Sequence, residues 1–361
     1  MRILVLNAGS SSIKLRLLDA DDAVRFSHDL DTEDTKALGA LDGVADESEL
    51  EAVGHRVVHG GDLFSSAVLI TDEVLGQIAS LEKLAPLHQA AALDGIDRAR
   101  RAFPNLPHVA CFDTAFHSDM PAVASTYAVP LRWRESFGIR RYGFHGLSHS
   151  YASRRAAEMI GRPLDSLRIV TCHLGAGASL AAVAGARSVD TTMGFTPLEG
   201  LVMATRSGSI DPSIPMWLQD HGLTLTEVRD GLERDSGLTG LAGSPDMREV
   251  LKRATEGDSR ATLARDVYVH ALQGGVARMA ASMHGIDTLV FTGGVGELSS
   301  EIRSAAAAGL GFLGIRLDEA SNRQAKGDTD ISAPEASVRT VMIKAREDLQ
   351  MAREIRALLR G

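Results

Sequence analysis

The stretch RILVLNAGSSSIKLRLL at residues 2–18 predicts the first structural elements of the fold. Residues 2–6 form a short apolar run, residues 7–12 are small or polar turn formers, and residues 13–17 alternate apolar with basic side chains. That order is typical of a strand, a turn of small residues and a second strand. The segment therefore predicts two strands joined by a tight, serine-rich turn.

The same pattern returns twice further along the chain. An apolar run at 167–173 leads into the small residues LGAGAS at 174–179, and a run at 288–291 leads into TGGVGE at 292–297. Helical spacing of apolar residues marks six stretches, namely 75–84, 89–103, 150–160, 225–234, 261–283 and 345–359. Because strands and helices interleave, we predict an α/β fold with a duplicated architecture.

The composition argues against several classes of protein. A chain of 361 residues suggests about two domains, and 38 basic against 47 acidic residues argue against binding to nucleic acid or to an anionic membrane surface. Cys111 and Cys172 lie in apolar runs without a CxxC motif, which predicts buried thiols in a reducing compartment. No apolar segment reaches the roughly 18 residues of a membrane helix. We therefore predict a soluble, cytoplasmic protein without a membrane or nucleic-acid partner.

The small-residue turns suggest phosphate binding. Turns of Gly, Ser and Ala let consecutive backbone N–H groups point at one anion. One such turn usually only reverses the chain, whereas three after apolar strands favour a shared function. The sequence contains neither GxxxxGK[ST] nor the full dinucleotide fingerprint, so the phosphate-binding device is of another type.

Charged residues accompany these turns. GHRVVHGG at 54–61 places Arg56 in an apolar, strand-like run, and TRSGSIDP at 205–212 places Arg206 in a turn before a helix. Guanidinium groups match carboxylates and phosphates, although either arginine taken alone is more often a surface or structural salt-bridge residue. FDTAFH at 112–117 puts Asp113 at the end of a strand, where either ligand binding or a turn role is expected.

Two further segments leave alternatives open. RYGFHGLSH at 141–149 contains His145 and His149 at a spacing that suits zinc, but no nearby glutamate or cysteine completes a ligand set. The glycines that flank Phe144 and His145 instead favour a loop histidine held close to a ligand. Glu347 opens the last predicted helix, where carboxylates also commonly favour the helix dipole.

Taken together, these motifs closely resemble the acetate kinase family of short-chain carboxylate kinases. The resemblance spans nearly the whole chain, and the matching strings are NAGSSSIK, GHRVVHGG, APLH, FDTAFH, RYGFHGLSH, HLGAGAS, DTTMGFTPLEGL, TRSGSIDP, SGLTGL and FTGGVGE. It implies two duplicated ribonuclease-H-like domains of the actin, Hsp70 and sugar kinase type around an ATP cleft. The implied boundaries are 1–115 plus 349–361 for the first domain and 116–348 for the second, in a homodimer.

The resemblance also implies a reaction and site residues. The reaction is the reversible, Mg²⁺-dependent transfer of a phosphoryl group from ATP directly to acetate, with propionate as a second substrate and Mn²⁺ as a possible replacement ion. Arg56 and Arg206 would hold the carboxylate and the transferring group, and His145 would hydrogen-bond that group. Asp113 is the fourth catalytic residue, and Asn7 and Glu347 would hold the metal.

The resemblance assigns the remaining positions to two binding sites. The acyl pocket is matched by Val58, Leu87, Phe144 and Pro197, together with Arg56. The ATP site is matched by Ser10, Ser12, Lys14, His173, Leu174, Gly175, Ala176, Gly177, Asp246, Met247, Arg248, Gly293, Gly294, Val295 and Gly296.

The chain departs from the family pattern at three places. Ala176 stands where the family usually has asparagine, Gln89-Ala90 replaces Asn-Pro, and Leu298 replaces asparagine. These changes concern nucleotide affinity and acyl-chain preference more than the type of reaction.

Two other functions suit the same fold. An ATP-driven binding protein of the Hsp70 or actin type would have no use for the two arginines. A sugar or hydroxy-acid kinase needs an aspartate to accept a hydroxyl proton, whereas a carboxylate is already ionised at pH 7.

Overall fold

The computed structural model describes residues 1–8, 12–31, 50–82 and 86–360. The chain divides into two compact units. The first unit comprises Met1–Ser118, Phe144–Tyr151 and Arg346–Gly361, and the second comprises Asp119–Gly143 and Ala152–Ala345. Each unit contains one six-stranded mixed sheet with helices, so the predicted α/β class is confirmed.

The first sheet is built around the stretch at residues 2–18. Its strands are β1 (Arg2–Ala8), β2 (Ser12–Leu18), β3 (Val24–Asp31), β4 (Leu50–Val57), β5 (Val68–Leu69) and β6 (His108–Phe112). Their order is β3-β2-β1-β4-β6-β5. Strands β1, β2 and β3 are antiparallel neighbours, β1, β4 and β6 run parallel, and β5 is antiparallel to β6.

The second sheet repeats this topology. Its strands are β7 (Arg168–Leu174), β8 (Ala178–Ala184), β9 (Arg187–Thr191), β10 (Thr288–Thr292), β11 (Thr329–Asp330) and β12 (Arg339–Met342). Read from β9, the order is β9-β8-β7-β10-β12-β11. The parallel and antiparallel pairings match those of the first sheet strand for strand. The duplication predicted from the repeated strand-and-turn pattern is thus confirmed.

The helices fill the connections between the strands. In chain order they are α1 (Asp72–Ser80), α2 (Pro86–Ala102), α3 (Ala122–Ser125), α4 (Leu131–Phe137), α5 (Gly146–Ile160), α6 (Ser213–Asp220), α7 (Leu225–Glu233), α8 (Gly237–Ala242), α9 (Met247–Thr255), α10 (Ser259–Ser282), α11 (Gly293–Leu298), α12 (Ser300–Ala308), α13 (Glu319–Gln324) and α14 (Glu347–Arg360). Each of the six stretches with helical spacing overlaps one of these helices. No helix among the described residues is long and apolar enough to cross a membrane.

The structure corrects one local prediction. The segment at 292–297 is not a turn, because α11 begins at Gly293, directly after β10. Gly293 has a φ of +78°, and a Cβ there would lie 2.9 Å from the Leu174 carbonyl oxygen. A glycine at this position therefore allows the chain to pass from strand to helix beside the neighbouring strand.

Alternation of side chains along the parallel strands creates two apolar layers in the first unit. Ile3 and Val5 of β1 face α14, where Met351 and Ile355 pack against them. Leu4 and Leu6 face the opposite way. They pack in a cluster with Ala99 of α2 and with Phe103, the residue that follows α2. Strands β1, β4 and β6 therefore lie between apolar clusters on their two faces. Both cysteines are free and buried, as predicted.

Two buried histidines of the first unit lie against each other. His55 Nε2 and His108 Nδ1 are 3.0 Å apart, and their rings stack with centroids 5.3 Å apart. Burial, helped by the charge of His108, lowers the pKa of His55 to about 3, and burial also lowers the pKa of His108. Both rings are therefore neutral in the folded protein at neutral pH.

This pair predicts that stability falls in mild acid. The unfolded histidines titrate near pH 6.5, above their folded pKa values, so the unfolded state binds more protons as the pH falls. Their contribution is complete above pH 6.5 and is lost below it. We expect His55→Gln to flatten the decline in the free energy of unfolding between pH 6 and 5 by about 1.4 kcal/mol per pH unit. Urea unfolding at each pH measures the slope, and an unchanged slope would contradict the account.

Candidate active site

Three polar residues meet at the carboxyl edge of the first sheet. Asn7 is the penultimate residue of β1, Arg56 is the penultimate residue of β4, and Asp113 directly follows β6. The Asp113 N–H donates to the Val57 carbonyl oxygen at 3.0 Å, which fixes Asp113 beside the end of β4. Parallel neighbouring strands thus bring together residues that are up to 106 positions apart in the sequence.

Arg56 and Asp113 form a buried, bidentate ion pair. Arg56 Nε donates to Asp113 Oδ1 at 2.9 Å and Arg56 Nη2 donates to Oδ2 at 2.6 Å, with side chains 12% and 1% exposed. Burial raises the pKa of Asp113, and the charge of Arg56 opposes that shift. Burial disfavours the Arg56 cation, but the charges of Asp113 and then Glu347 raise its pKa overall. The guanidinium is therefore a permanent positive charge in a fixed orientation.

The ion pair extends to the start of the last helix. Arg56 Nη1 donates to Asn7 Oδ1 at 3.0 Å, and Asn7 Nδ2 donates to Glu347 Oε2 at 2.6 Å. Glu347 is the first residue of α14, and the next residue, Asp348, is engaged by Arg346 at 2.9 Å. A continuous chain of side-chain hydrogen bonds thus joins four of the six residues that the sequence assigned to catalysis or metal binding.

His145 is held close to this chain by its backbone. Its φ is +57°, and its N–H hydrogen-bonds the Asp113 carboxylate. The Gly146 N–H donates to the Asp113 carbonyl oxygen at 2.9 Å, and a Cβ on Gly146 would collide with that oxygen. The glycine after His145 is therefore needed for close approach to Asp113. No group of three or more His, Cys, Asp or Glu side chains suited to a metal exists among the described residues.

Besides Arg56, two residues of the predicted acyl pocket lie in the first unit with described side chains. Val58 is 4% exposed and Phe144 is 1% exposed. His59, the residue after Val58, packs edge-on against Phe144 with ring centroids 5.3 Å apart. His117 Nε2 donates to the Phe144 carbonyl oxygen at 3.0 Å, and burial lowers the pKa of His117 to about 4. Leu87 lies in α2, but its side chain is outside the described part of the chain.

In the second unit, Arg206 and Pro197 are in direct contact. Arg206 Nη1 donates to the Pro197 carbonyl oxygen at 2.6 Å. Burial lowers the pKa of Arg206, and the charge of Glu233 partly offsets this effect. The turn around Arg206 is tight, because Gly208 has a φ of +72° and Gly237 approaches the Arg206 carbonyl oxygen. The sequence assigned Arg206 to catalysis and Pro197 to the acyl pocket.

A cavity of about 490 Å³ lies within the second unit. Seven of its lining residues were assigned to the ATP site from sequence, namely Gly175, Ala176, Asp246, Met247, Arg248, Gly294 and Val295. The sequence did not single out Tyr268 or Leu251, which line the same cavity. Asp246 caps α9 by accepting from the Arg248 N–H, and its carboxylate also pairs with the Arg248 guanidinium at 2.7 Å.

The other predicted ATP-site residues have different positions. His173 and Leu174 end β7, Gly177 lies in the following turn, and Gly293 and Gly296 belong to α11. Lys14 lies on β2 in the first unit, paired opposite Asn7 of β1. Ser10 falls outside the described residues, and Ser12 begins β2 with a side chain that is not described.

Sequence reasoning missed a buried clamp on α11. Arg303 of α12 is 2% exposed and donates from Nη1 to the carbonyl oxygens of Gly296 and Glu297, each at 2.8 Å. Arg303 Nε donates to Asn322 Oδ1 at 2.7 Å. Arg303 thus satisfies carbonyl groups near the end of the short helix that contains Gly294 and Val295. An arginine beside the buried Ile302 was the available signal.

Known proteins are similar to this chain in sequence and in structure. The model of the Acetokinase family matches residues 34–353. The acetate kinase of Gloeothece citriformis is 47% identical over 354 residues, covering 98% of this chain and 86% of that protein. The crystal structure of Porphyromonas gingivalis acetate kinase superimposes with a TM-score of 0.90 at 36% identity, covering 99% of both chains. A propionate kinase from Francisella tularensis subsp. tularensis gives a TM-score of 0.90 at 37% identity, covering 98% of both chains.

The buried ion pair predicts a large effect on stability. Arg56→Ala leaves Asp113 buried without its cation, so we expect the free energy of unfolding to fall by about 3–5 kcal/mol. Urea denaturation at pH 7 measures the loss. The control is Arg98→Ala, which removes the exposed pair with Asp94 on α2 and should cost less than about 1 kcal/mol. Equal losses in the free energy of unfolding would show that the buried Arg56 pair contributes no more to stability than an exposed ion pair.

Proposed function

The chain belongs to the acetokinase family and is a phosphotransferase, and we propose that it transfers the γ-phosphoryl group of ATP to acetate. The products are acetyl phosphate and ADP, and the reaction is reversible. A carboxylate oxygen attacks the γ-phosphorus in line, a P–O bond forms to the acetate, and the bond to the bridging oxygen of ADP breaks. The observation that carries this proposal is the buried Arg56 cation, fixed by Asp113 and linked to Asn7 and Glu347.

The residues suit a carboxylate acceptor. Acetate is ionised at pH 7, so its attack requires no proton acceptor, and catalysis reduces to alignment and neutralisation of charge. Arg56 and Arg206 would hold the carboxylate and the transferring phosphoryl group, and His145 would donate a hydrogen bond to that group. Because Asp113 is engaged by Arg56 in both oxygens, its proposed task is to orient the arginine.

Asn7 and Glu347 fit a divalent cation. Both offer hard oxygen donors, and Mg²⁺ in kinases commonly takes one or two protein oxygens together with water and substrate phosphates. When bound, the ion would neutralise negative charge on the phosphate oxygens. Asn7 Nδ2 holds the Glu347 carboxylate in place, and Arg56 holds Asn7 in turn. Mn²⁺, which shares the preference for oxygen ligands, is a proposed replacement.

We assign the cavity of the second unit to the nucleotide. Its volume of about 490 Å³ is in the range of small-molecule pockets, and Met247, Leu251 and Tyr268 provide the apolar walls that a base requires. The turn at Gly175 and Ala176 offers backbone N–H groups to the phosphates. Ala176 supplies no side-chain donor there, so the backbone has the larger share of phosphate contacts.

The acyl pocket is proposed to be small. The side chains of Val58 and Phe144 are buried, and these two residues keep their assignments from sequence together with Leu87 and Pro197. One methylene changes binding by only about 1–3 kcal/mol, so propionate is a proposed second substrate. The structural similarity to a propionate kinase supports this choice.

Assembly, location and domain limits are also proposals. Helix α6 exposes Ile214, Met216 and Trp217, an apolar face of the kind that homodimer interfaces bury, so we propose a homodimer. Two free buried thiols agree with a cytoplasmic location. For the domains we propose residues 1–115 with 349–361 and residues 116–348. These proposed limits are separate from the bounds of the two compact units described above.

Trapping with hydroxylamine tests the proposed reaction. We expect acetyl hydroxamate when ATP, Mg²⁺ and acetate are supplied together, and its loss on chelation of the metal. Arg206→Ala should lower kcat/KM by at least about 100-fold, because a charge-assisted contact in the transition state is removed.

The matched control is Arg234→Ala, an exposed arginine paired with Asp230 on the same unit, which should keep nearly full activity. Circular dichroism establishes that both variants fold. Absence of hydroxamate with acetate, propionate and butyrate would refute the proposed function. Near-normal turnover of Arg206→Ala would refute the role of that arginine.

A further inference from the structure

The buried side-chain amide of Gln89 hydrogen-bonds the backbone of His59, the residue after Val58 of the proposed acyl pocket. Gln89 of α2 is fully buried. Its Oε1 accepts a hydrogen bond from the His59 N–H at 3.4 Å, and its Nε2 donates to the His59 carbonyl oxygen at 3.1 Å. Nε2 also donates to the carbonyl oxygen of Ile78, near the end of α1, at 3.2 Å. The side-chain amide therefore pairs with both polar groups of His59, as a neighbouring strand would.

His59 needs such a partner because it lies beyond the sheet. Strand β4 ends at Val57, so His59 is buried without the ladder of hydrogen bonds that a strand provides. The turn that follows is fixed on its other side. The Gly60 N–H donates to Thr114 Oγ1 at 3.0 Å, and the Gly61 N–H donates to His59 Nδ1 at 2.9 Å. Gln89 thus anchors the first half of a turn whose second half is held by Thr114.

The anchored turn carries a wall of the acyl pocket. Val58 is adjacent to His59 and directly follows Val57, the last residue of β4. The His59 ring packs against Phe144, the second buried wall residue. A shift of the His59 backbone would therefore move Val58 and the ring against Phe144 together.

We propose that Gln89 is a positioning residue that sets the size of the acyl pocket and so selects acetate over longer acids. The proposal rests on the proposed function, because it concerns the acyl pocket of that reaction. Gln89 makes no contact with substrate in this scheme. It acts through the His59 backbone on Val58 and Phe144.

A purely structural role makes a different prediction. If Gln89 only ties α2 to α1 through Ile78, its removal lowers stability and affects all acids equally. If it sets the pocket, its removal leaves the His59 N–H and carbonyl without their buried partner. The turn then relaxes, and discrimination between acids falls more than activity with ATP.

The test is the ratio of kcat/KM for acetate to kcat/KM for butyrate. Gln89→Leu keeps the approximate volume and removes all three hydrogen bonds, and we expect the ratio to fall at least about fivefold. The KM for ATP should stay within about twofold of wild type. Gln89→Asn keeps the amide on a side chain one methylene shorter and should give a smaller change in the same direction. If Gln89→Leu does not fold, the ratio in Gln89→Asn decides.

Two variants calibrate the experiment. Ile96→Val weakens an apolar cluster on the same helix and keeps the hydrogen bonds between Gln89 and His59, so it should leave the ratio unchanged. Val58→Ala enlarges the pocket directly and should shift preference toward longer acids.

The outcomes separate two failures. If wild type makes no acyl phosphate with any of the acids, the proposed function is wrong. If wild type and Ile96→Val make acetyl phosphate and Val58→Ala shifts the ratio, an unchanged ratio in the Gln89 variants overturns this inference alone. If Val58→Ala leaves the ratio unchanged, the pocket is wrongly assigned and the inference fails with it.

Discussion

The buried ion pair between Arg56 and Asp113 links the ends of β4 and β6 in the first unit. Taking two charges out of water is costly, and the cost is repaid only when geometry and further hydrogen bonds are close to ideal. Here both carboxylate oxygens are engaged, and the remaining guanidinium nitrogen donates to Asn7. This network holds the ends of β1, β4 and β6 together. It also places the first residue of α14, Glu347, at the same edge of the sheet.

The two sheets share one topology but differ at their functional ends. In the first unit, the strand ends β1, β4 and β6 carry an amide, a cation and a carboxylate. In the second unit, the corresponding strands β7 and β10 end at turns or helices rich in glycine, and a cavity lies beside them. One copy of the fold thus presents fixed charges, and the other presents backbone groups and apolar walls. This division suits a reaction that joins a small anion to a nucleotide phosphate.

Local patterns in the sequence predicted the strands well. These elements are the stretch at 2–18, the apolar runs before the glycine turns and the helices, and residues close in sequence determine each of them. The repeated pattern of strand and turn predicted the duplication. Motif resemblance also located a set of residues that line one cavity, such as Asp246 and Gly294. The pairing of Arg56 with Asp113 was beyond these rules, because it depends on which strands are neighbours.

The sequence marked Gln89 only as a departure from the family pattern and did not mark Arg303 at all, because both residues act through contacts between distant segments. Gln89 contacts His59, which is 30 residues away, and Arg303 contacts Asn322, which is 19 residues away. Neither partner is implied by periodicity or by a motif. The prediction of a turn at 292–297 failed because it also depended on a distant segment. The close approach of Leu174 explains why the helix after β10 begins with a glycine.

The most direct test of the account follows the oxygen atoms of the acceptor. Acetate labelled with ¹⁸O in its carboxylate is supplied with ATP and Mg²⁺, and the acyl phosphate is observed by ³¹P NMR. Direct attack by a carboxylate oxygen on the γ-phosphorus predicts acetyl phosphate with one ¹⁸O bound to phosphorus. Acyl phosphate without ¹⁸O on phosphorus, or release of inorganic phosphate from ATP with no acyl phosphate at all, would contradict it.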